Sequence, residues 1–280
     1  MDSTSRESPP ANLPARRTLT LSYVSSLVVA LLLVVASVSG LLNPDRLYPT
    51  DELQQGFVAT DVVSLCIAVP ILLGSMWLAR RNKLIGLLFW PGALMYVLYD
   101  HIAYVYALPL SWVLPLHMAL VALSVYTTAA LVASIDGEAV KQRLGGLVSE
   151  KVAGGALVGL GGLFLLIVVG TIGGALVEET PLPRAELAVW IADSIIAPAL
   201  IVGGVMLWRR QALGYVTAAG LLFQASMLFV GIIAIVLLQP LLTTVPLAVG
   251  DLIVLSVMSL PCFGAFALFV RGLLVAEKAS

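Results

Sequence analysis

Apolar residues occur in eight long runs of about 20 residues or more, and short polar segments separate the runs. A bilayer core about 30 Å thick is crossed by about 20 apolar residues in an α-helix, so each run is long enough to span a membrane. The pattern therefore predicts an all-α polytopic membrane bundle of eight transmembrane helices. The predicted spans are residues 18–42, 57–79, 84–107, 110–135, 152–177, 187–208, 212–238 and 245–270.

Segments outside the spans divide the chain into two units. Residues 1–17 are rich in Ser, Pro and charge and carry little apolar surface, which predicts a disordered tail. Residues 136–151 form a loop that joins two four-helix transmembrane units, residues 18–135 and 152–271. Residues 272–280 form a second tail.

The loop 136–151 carries an apolar pattern of its own. Val140, Leu144, Leu147 and Val148 recur at helical spacing. This spacing predicts a short helix that lies on the membrane surface, and a solvated linker is the alternative.

Glycines crowd the fifth span. Gly155 and Gly159, and likewise Gly170 and Gly174, form pairs of small residues four positions apart. Such pairs let another helix backbone approach closely, so we expect these glycines to serve helix packing.

The composition supports the membrane class. Hydrophobic residues make up 60% of the chain and charged residues only 11%, with a mean hydropathy of +1.04. Soluble domains carry about 25% charged residues. The net charge of −1 provides no basic field, so we expect no nucleic-acid partner. The two cysteines, Cys66 and Cys262, lie in apolar stretches at different predicted depths, which predicts buried thiols and no disulfide.

Basic residues concentrate on one predicted side of the membrane. Of the 15 Lys and Arg residues, only Arg46 and Arg184 fall on the side opposite the N-terminus. The positive-inside rule makes the basic side cytoplasmic, with both termini inside a multi-pass protein of the cell membrane. The other basic residues are Arg6, Arg16, Arg17, Arg80, Arg81, Lys83, Lys141, Arg143, Lys151, Arg209, Arg210, Arg271 and Lys278.

The two units share a motif that predicts an internal duplication. In each unit a proline precedes an Arg-Arg pair and then two glycines at similar spacings. Four helices per unit is an even number, so the copies would share an orientation and be related by a pseudo-two-fold axis along the membrane normal. The prolines also predict a bend in the second and sixth spans. The matching residues are Pro70, Arg80, Arg81, Gly86 and Gly92 in the first unit, and Pro198, Arg209, Arg210, Gly214 and Gly220 in the second.

In each half, an Arg-Arg pair is followed by a span that contains regularly spaced glycines, and spans of each half carry Asp and Pro. In this pattern the chain resembles an uncharacterised family of eight-helix prokaryotic integral membrane proteins. The resemblance covers most of residues 57–271. It implies the eight-helix topology and supplies no catalytic residue. We expect no cofactor.

Ionisable side chains inside the spans are the candidate site residues, because such groups are costly in a bilayer and usually face the bundle interior. All of them fall in the predicted outer half of the membrane. We expect ligand or ion binding by Asp61, Asp100, His117, Asp193 and Asp251. For Asp193 and Asp251, a cap or a snorkelling side chain at the outer interface is the alternative.

Two further expectations concern how these residues are arranged. Asp100 and His117 are equidistant from the turn between the third and fourth spans, so we expect them to face each other. His101 points about 100° away from Asp100 around the helix, and we expect it at the membrane interface. Tyr96, Tyr99 and Gln224 lie deeper and could line a cavity.

Some functions are excluded by the sequence. All four lysines lie outside the spans, which leaves no attachment point for a retinal Schiff base. No glycine-rich nucleotide motif opens a soluble helix, so the chain does not by itself drive transport with ATP.

Three functions remain. Transport fits the intramembrane carboxylates best, either of a small solute or coupled to the movement of a cation or a proton. The alternatives are a non-catalytic membrane subunit or sensor, and a membrane-embedded metal-dependent enzyme that acts at the outer face through Asp61, Asp100 and His117. The expected partners are the lipid bilayer, a small cation or small polar solute, and other membrane subunits.

Overall fold

The fold is described from a computed structural model, which covers residues 13–15, 19–179 and 182–279. These residues form helices and no strands; one isolated backbone bridge joins Ala15 to Ile135. The helices are α1 (Thr20–Leu42), α2 (Pro44–Leu47), α3 (Asp51–Val63), α4 (Val69–Arg80), α5 (Leu84–Ala107), α6 (Leu114–Ser134), α7 (Gly137–Leu144), α8 (Glu150–Glu178), α9 (Arg184–Trp208), α10 (Ala212–Leu242) and α11 (Val249–Ala279).

Eight helices in the described part of the chain are long and apolar enough to cross a membrane, with α3 and α4 together forming one of them. The prediction of an all-α eight-helix bundle is therefore confirmed, and the chain is a polytopic integral membrane protein. We call the end at which α3 and α9 begin the distal end. The opposite end, where α4 and α9 finish beside their arginine pairs, is the basic end.

The second span begins earlier than its apolar run suggests. Helix α3 starts at Asp51, where the side chain of Thr50 accepts a hydrogen bond from the backbone N–H of Leu53 at 3.3 Å. A π-helical turn at Ser64–Ala68 joins α3 to α4 directly before Pro70. Proline has no backbone N–H, so Pro70 cannot donate an α-helical hydrogen bond to the preceding turn. The wider π-helical turn lies at the place where this hydrogen bond is missing.

Helix α5 is the centre of the bundle. It packs against α4, α6, α9 and α10, and most of its length is buried. Helix α1 packs against α6 and against the helices of the second span, whereas α8 pairs with α9. Most side chains of α5 therefore face protein rather than lipid.

A close backbone contact joins α5 to α10. A Cβ atom added to Gly92 would overlap the backbone carbonyl of Gly220, and a Cβ on Gly220 would lie 3.1 Å from the backbone nitrogen of Gly92. Two glycines thus let the backbones touch, as small residues do in membrane helix pairs.

The loop and the first tail differ in part from expectation. Residues 137–144 form the predicted short helix, but its Val140 and Leu144 are fully buried and it packs against α10 instead of lying on the membrane surface. The backbone N–H of Asp136 donates to the carbonyl of Pro14 at 2.7 Å. Residues 13–15 are therefore ordered, contrary to expectation, because their backbone pairs with that of Ile135 and Asp136 after α6. The rest of the expected tail lies outside the described residues. The expected second tail continues α11 to Ala279.

Two expectations about small residues need correction. Gly155, Gly159, Gly170 and Gly174 of α8 face open space, so they do not mediate packing within this chain. Cys66 is exposed on the bundle surface because its apolar helix turns it outward, whereas Cys262 is buried as expected.

The helix arrangement is compatible with the predicted duplication. Helices α1, α3–α4, α5 and α6 contact one another in the same pattern as α8, α9, α10 and α11. Asn82 and Arg210 both adopt left-handed backbone angles, φ 58° and 56°, each 12 residues after its proline. These matched positions support the duplication, which stays a prediction.

We predict that Gly92→Ala destabilises the bundle, because the added methyl group must push α5 away from α10. The expected loss is about 1–3 kcal/mol, the usual effect of overpacking a core. Thermal unfolding in detergent, followed by tryptophan fluorescence, measures it.

Gly162→Ala in α8 is the matched control, since nothing lies within 4 Å of the added methyl group. We expect its melting temperature to equal or exceed that of the wild type, because alanine favours a helix over glycine. Equal melting temperatures for Gly92→Ala and Gly162→Ala would contradict the α5–α10 contact.

Candidate functional site

Four of the five predicted site residues fall into two neighbouring sites in the distal half of the bundle. Asp100 and Asp193 line a cavity, whereas Asp61 and His117 belong to a buried polar cluster beside it. Asp251 is exposed in the first turn of α11 and lines neither site. The residues that were expected to form one layer thus occupy three environments.

The cavity has a volume of about 330 Å³ and lies between α3, α5, α8, α9, α10 and α11. Asp100 lies seven residues before the end of α5 and Asp193 nine residues after the start of α9. At 1.5 Å per residue, both carboxylates lie about 10–14 Å below the distal helix ends.

A tyrosine hydroxyl holds one of the two cavity carboxylates. The hydroxyl of Tyr99 donates to Oδ1 of Asp193 at 2.8 Å. Tyr96 lines the cavity together with Asp100. No lysine, arginine or histidine is among the lining residues. The cavity therefore presents two carboxyl groups without a basic counter-charge.

The remaining cavity wall is apolar, and part of it reaches the protein surface. Phe164, Leu228 and Phe229 contribute to the wall. Ile167 and Ile232, which also line the cavity, are 40% and 41% exposed on the helix faces that would meet lipid. A ligand could thus enter from the side of the bundle.

The cavity is closed toward the basic end. Below it lies the contact between Gly92 and Gly220. Beside this contact, the ring of Phe89, one turn before Gly92, stacks on that of Phe223, one turn after Gly220, with centroids 4.6 Å apart, and the Phe266 ring lies 5.4 Å from that of Phe89. These side chains separate the cavity from the basic half.

The second site is a cluster around Asp61, which is 1% exposed. The hydroxyl of Tyr48 donates to Oδ2 of Asp61 at 2.6 Å, and that of Tyr104 donates to Oδ1 at 2.9 Å. Gly40 permits this approach, because a Cβ atom there would overlap both the carboxylate and the Tyr48 hydroxyl.

Tyr48 lies in the loop after α2, outside the membrane-spanning helices, yet it is 1% exposed. Burial and the Asp61 carboxylate raise the pKa of its phenol well above the usual value. Tyr48 therefore keeps its proton and acts as a hydrogen-bond donor to Asp61.

Both histidines lie in this cluster. The ring of His117 stacks on Tyr104 with centroids 4.6 Å apart and an interplanar angle of 11°, and the His101 ring lies 5.1 Å from that of His117. The expected pairing of His117 with Asp100 is wrong, since α5 turns His101 toward α6 and Asp100 toward the cavity. His101 is 1% exposed and so does not lie at the interface.

Sequence reasoning missed Tyr48 and Tyr104 as site residues. Tyr48 lies outside every predicted span, and Tyr104 belongs to a group of tyrosines and tryptophans near the predicted interface, where such residues are common. Tyr96 and Tyr99 do line the cavity as expected, whereas Gln224 is fully buried elsewhere in the bundle.

Comparison of the chain with models of known protein families, with curated proteins and with solved structures finds no match. The resemblance to an eight-helix family therefore stays a prediction.

We predict that Tyr48→Phe destabilises the protein by about 1–3 kcal/mol, because one oxygen of the buried Asp61 carboxylate loses its donor. Thermal unfolding measures the effect. Tyr106→Phe is the control, since Tyr106 is 57% exposed on α5. A loss of the same size in both variants would show that the Tyr48 hydrogen bond contributes nothing specific.

Proposed function

We propose that this integral membrane protein transports a small amphipathic cation, which it binds between Asp100 and Asp193 in the distal cavity. The observation that carries the proposal is a single cavity lined by two carboxylates and no basic residue. Intramembrane carboxylates that face a cavity commonly mark the binding sites of ions and substrates.

The cavity wall favours an amphipathic ligand. Apolar and aromatic side chains form most of the wall, and the aromatic faces of Tyr99 and Phe229 suit an organic cation better than a hydrated metal ion. The exposed lining residues Ile167 and Ile232 lie where lipid would contact the bundle, so an amphipathic molecule can approach from the bilayer.

A membrane sensor is the second candidate. The contact between Gly92 and Gly220 and the rings of Phe89, Phe223 and Phe266 close the cavity toward the basic end. A transporter must open this barrier in another state, whereas a sensor need only bind its ligand. Binding and flux therefore have to be measured separately.

The metal-dependent enzyme has less support. Across the described segments, no three His, Cys, Asp or Glu side chains come close enough together to hold a metal ion. Asp100 and His117, two of the expected ligands, lie in different sites.

We predict that Asp100→Asn and Asp193→Asn each weaken the binding of ethidium, used as a fluorescent amphipathic cation, by about tenfold or more. Each variant removes one negative charge from the cavity while the shape of the side chain is kept. Fluorescence titration of the purified protein in nanodiscs measures the affinity, and the double variant should not bind ethidium measurably.

Asp251→Asn is the matched control, since it makes the same charge change at an exposed position of the distal half. We expect it to bind ethidium like the wild type. Unchanged affinity in the double variant, or no binding by the wild type, would overturn the proposed site.

Flux assays separate the two candidate functions. We predict that proteoliposomes containing the wild type take up ethidium faster than protein-free liposomes, and that the double variant loses this excess. Binding without excess uptake would favour the sensor over the transporter.

A further inference from the structure

We infer that the coupling ion of this transport is a proton, and that it binds to the ring nitrogens of His101 and His117 beside Asp61. The coupling of this proton to transport rests on the proposed function. The proton-binding residues themselves lie beside the cavity that holds Asp100 and Asp193. We call His101, His117, Asp61, Tyr104 and Tyr48 together the proton site.

The orientation of His101 leaves one nitrogen ready to accept a proton. Its Nδ1 lies 3.1 Å from the carbonyl oxygen of Val97. A carbonyl oxygen only accepts hydrogen bonds, so Nδ1 carries the hydrogen, and Nε2 of the neutral ring keeps its lone pair. This Nε2 is buried and has no hydrogen-bond partner among the described residues.

His117 offers a second nitrogen of the same kind. The residue is only 2% exposed, and its Nδ1 is also buried and has no hydrogen-bond partner among the described residues. Buried polar atoms are nearly always hydrogen-bonded, so two unpaired nitrogens on adjacent rings indicate a site that is completed by something that binds there.

The surroundings stabilise an added positive charge. The hydroxyl groups of Tyr48 and Tyr104 both donate to Asp61, which suits an ionised carboxylate. The ring of His117 lies on the face of Tyr104, where an imidazolium gains from the π-electrons, and the hydroxyl of Tyr104 bonds to Asp61. One proton on the histidine pair would neutralise the charge of Asp61.

No basic side chain competes for this role. The histidine rings contact each other and Tyr104, and Tyr104 links them to Asp61, which is also bonded to Tyr48. In the described chain, no lysine or arginine is paired with Asp61. A proton is the smallest cation that the buried ring nitrogens can bind.

Tyr104 connects the proton site to the cavity. Its ring touches His117 and also lines the cavity that holds Asp100 and Asp193. A cation in the cavity and a proton on the histidines would thus be close like charges, and each would oppose the binding of the other. The expected mechanism is exchange: binding of the organic cation releases one proton from Nε2 or Nδ1, and rebinding of a proton expels the cation.

The proton site can be tested without any transported ligand. The chain has only two histidines, so [15N]histidine labelling of the full chain, carrying a histidine-free affinity tag, gives one pair of ring signals per residue. We expect NMR in nanodiscs to show one proton taken up by the pair between about pH 8 and pH 4. His101→Gln and His117→Gln assign the signals.

Asp61→Asn should shift this titration toward lower pH by about one unit or more, because the attracting charge is removed. Asp251→Asn should leave it unchanged. Tyr104→Phe is a second variant that keeps the ring contact and removes the hydrogen bond, and it should shift the titration in the same direction. Ring signals that stay neutral throughout, or that titrate identically with and without the Asp61 charge, would overturn the inference.

The link to transport needs a second measurement. In the wild type, ethidium affinity should fall by up to about tenfold per pH unit on acidification through the histidine titration, as expected for the release of one proton. His101→Gln and His117→Gln should flatten this dependence while affinity at alkaline pH is kept. A steep pH dependence in both variants would place the competing proton on Asp100 or Asp193 and overturn the coupling.

The two proposals fail differently. If the wild type does not bind ethidium, the proposed function fails, while the NMR titration still decides whether the proton site exists. If ethidium binds but the histidines do not titrate, the proposed cation site in the cavity is supported and the proposed proton site is rejected.

Discussion

The contact between Gly92 and Gly220 holds α5 against α10, and both sites depend on the position of α5 that this contact sets. Between Tyr96 and Tyr104 this one helix supplies Asp100 to the cavity and His101 to the proton site. Neighbouring residues on a helix point about 100° apart, so Asp100 and His101 face different partners although they are adjacent in sequence. A shift of α5 away from α10 would disturb both sites together.

Tyrosines, and no basic residues, hold the carboxylates of Asp61 and Asp193. Asp61 accepts from two tyrosines and Asp193 accepts from Tyr99. A lysine or arginine would have neutralised these charges permanently, whereas a phenol stabilises the carboxylate and leaves its charge uncompensated. This choice of partner keeps the distal half able to attract a cation, which is why both proposals concern cations.

The sequence alone is enough to predict the spans and the end of the bundle near which the polar residues lie, because both follow from hydropathy and helix length. It does not predict which residues meet. Apolar side chains occur on every face of α5, so nothing in its pattern fixes its rotation, and the pairing of His117 with His101 instead of Asp100 could not be foreseen. Tyr48 was missed for a related reason, since the loop that carries it folds into the bundle and no periodicity marks that return.

Under the predicted duplication, the two units contribute different residues to the distal cavity. The prolines Pro70 and Pro198 are 128 residues apart, as are Gly92 and Gly220. The same offset places Leu228 opposite Asp100 and Val189 opposite Asp61, and both of these apolar residues line the cavity. The second unit would thus supply apolar wall at the positions equivalent to Asp100 and Asp61, and it contributes its own carboxylate, Asp193, from another position of α9. The cavity therefore takes one carboxylate from each unit and additional apolar wall from the second, so an amphipathic cation matches it better than a simple ion does.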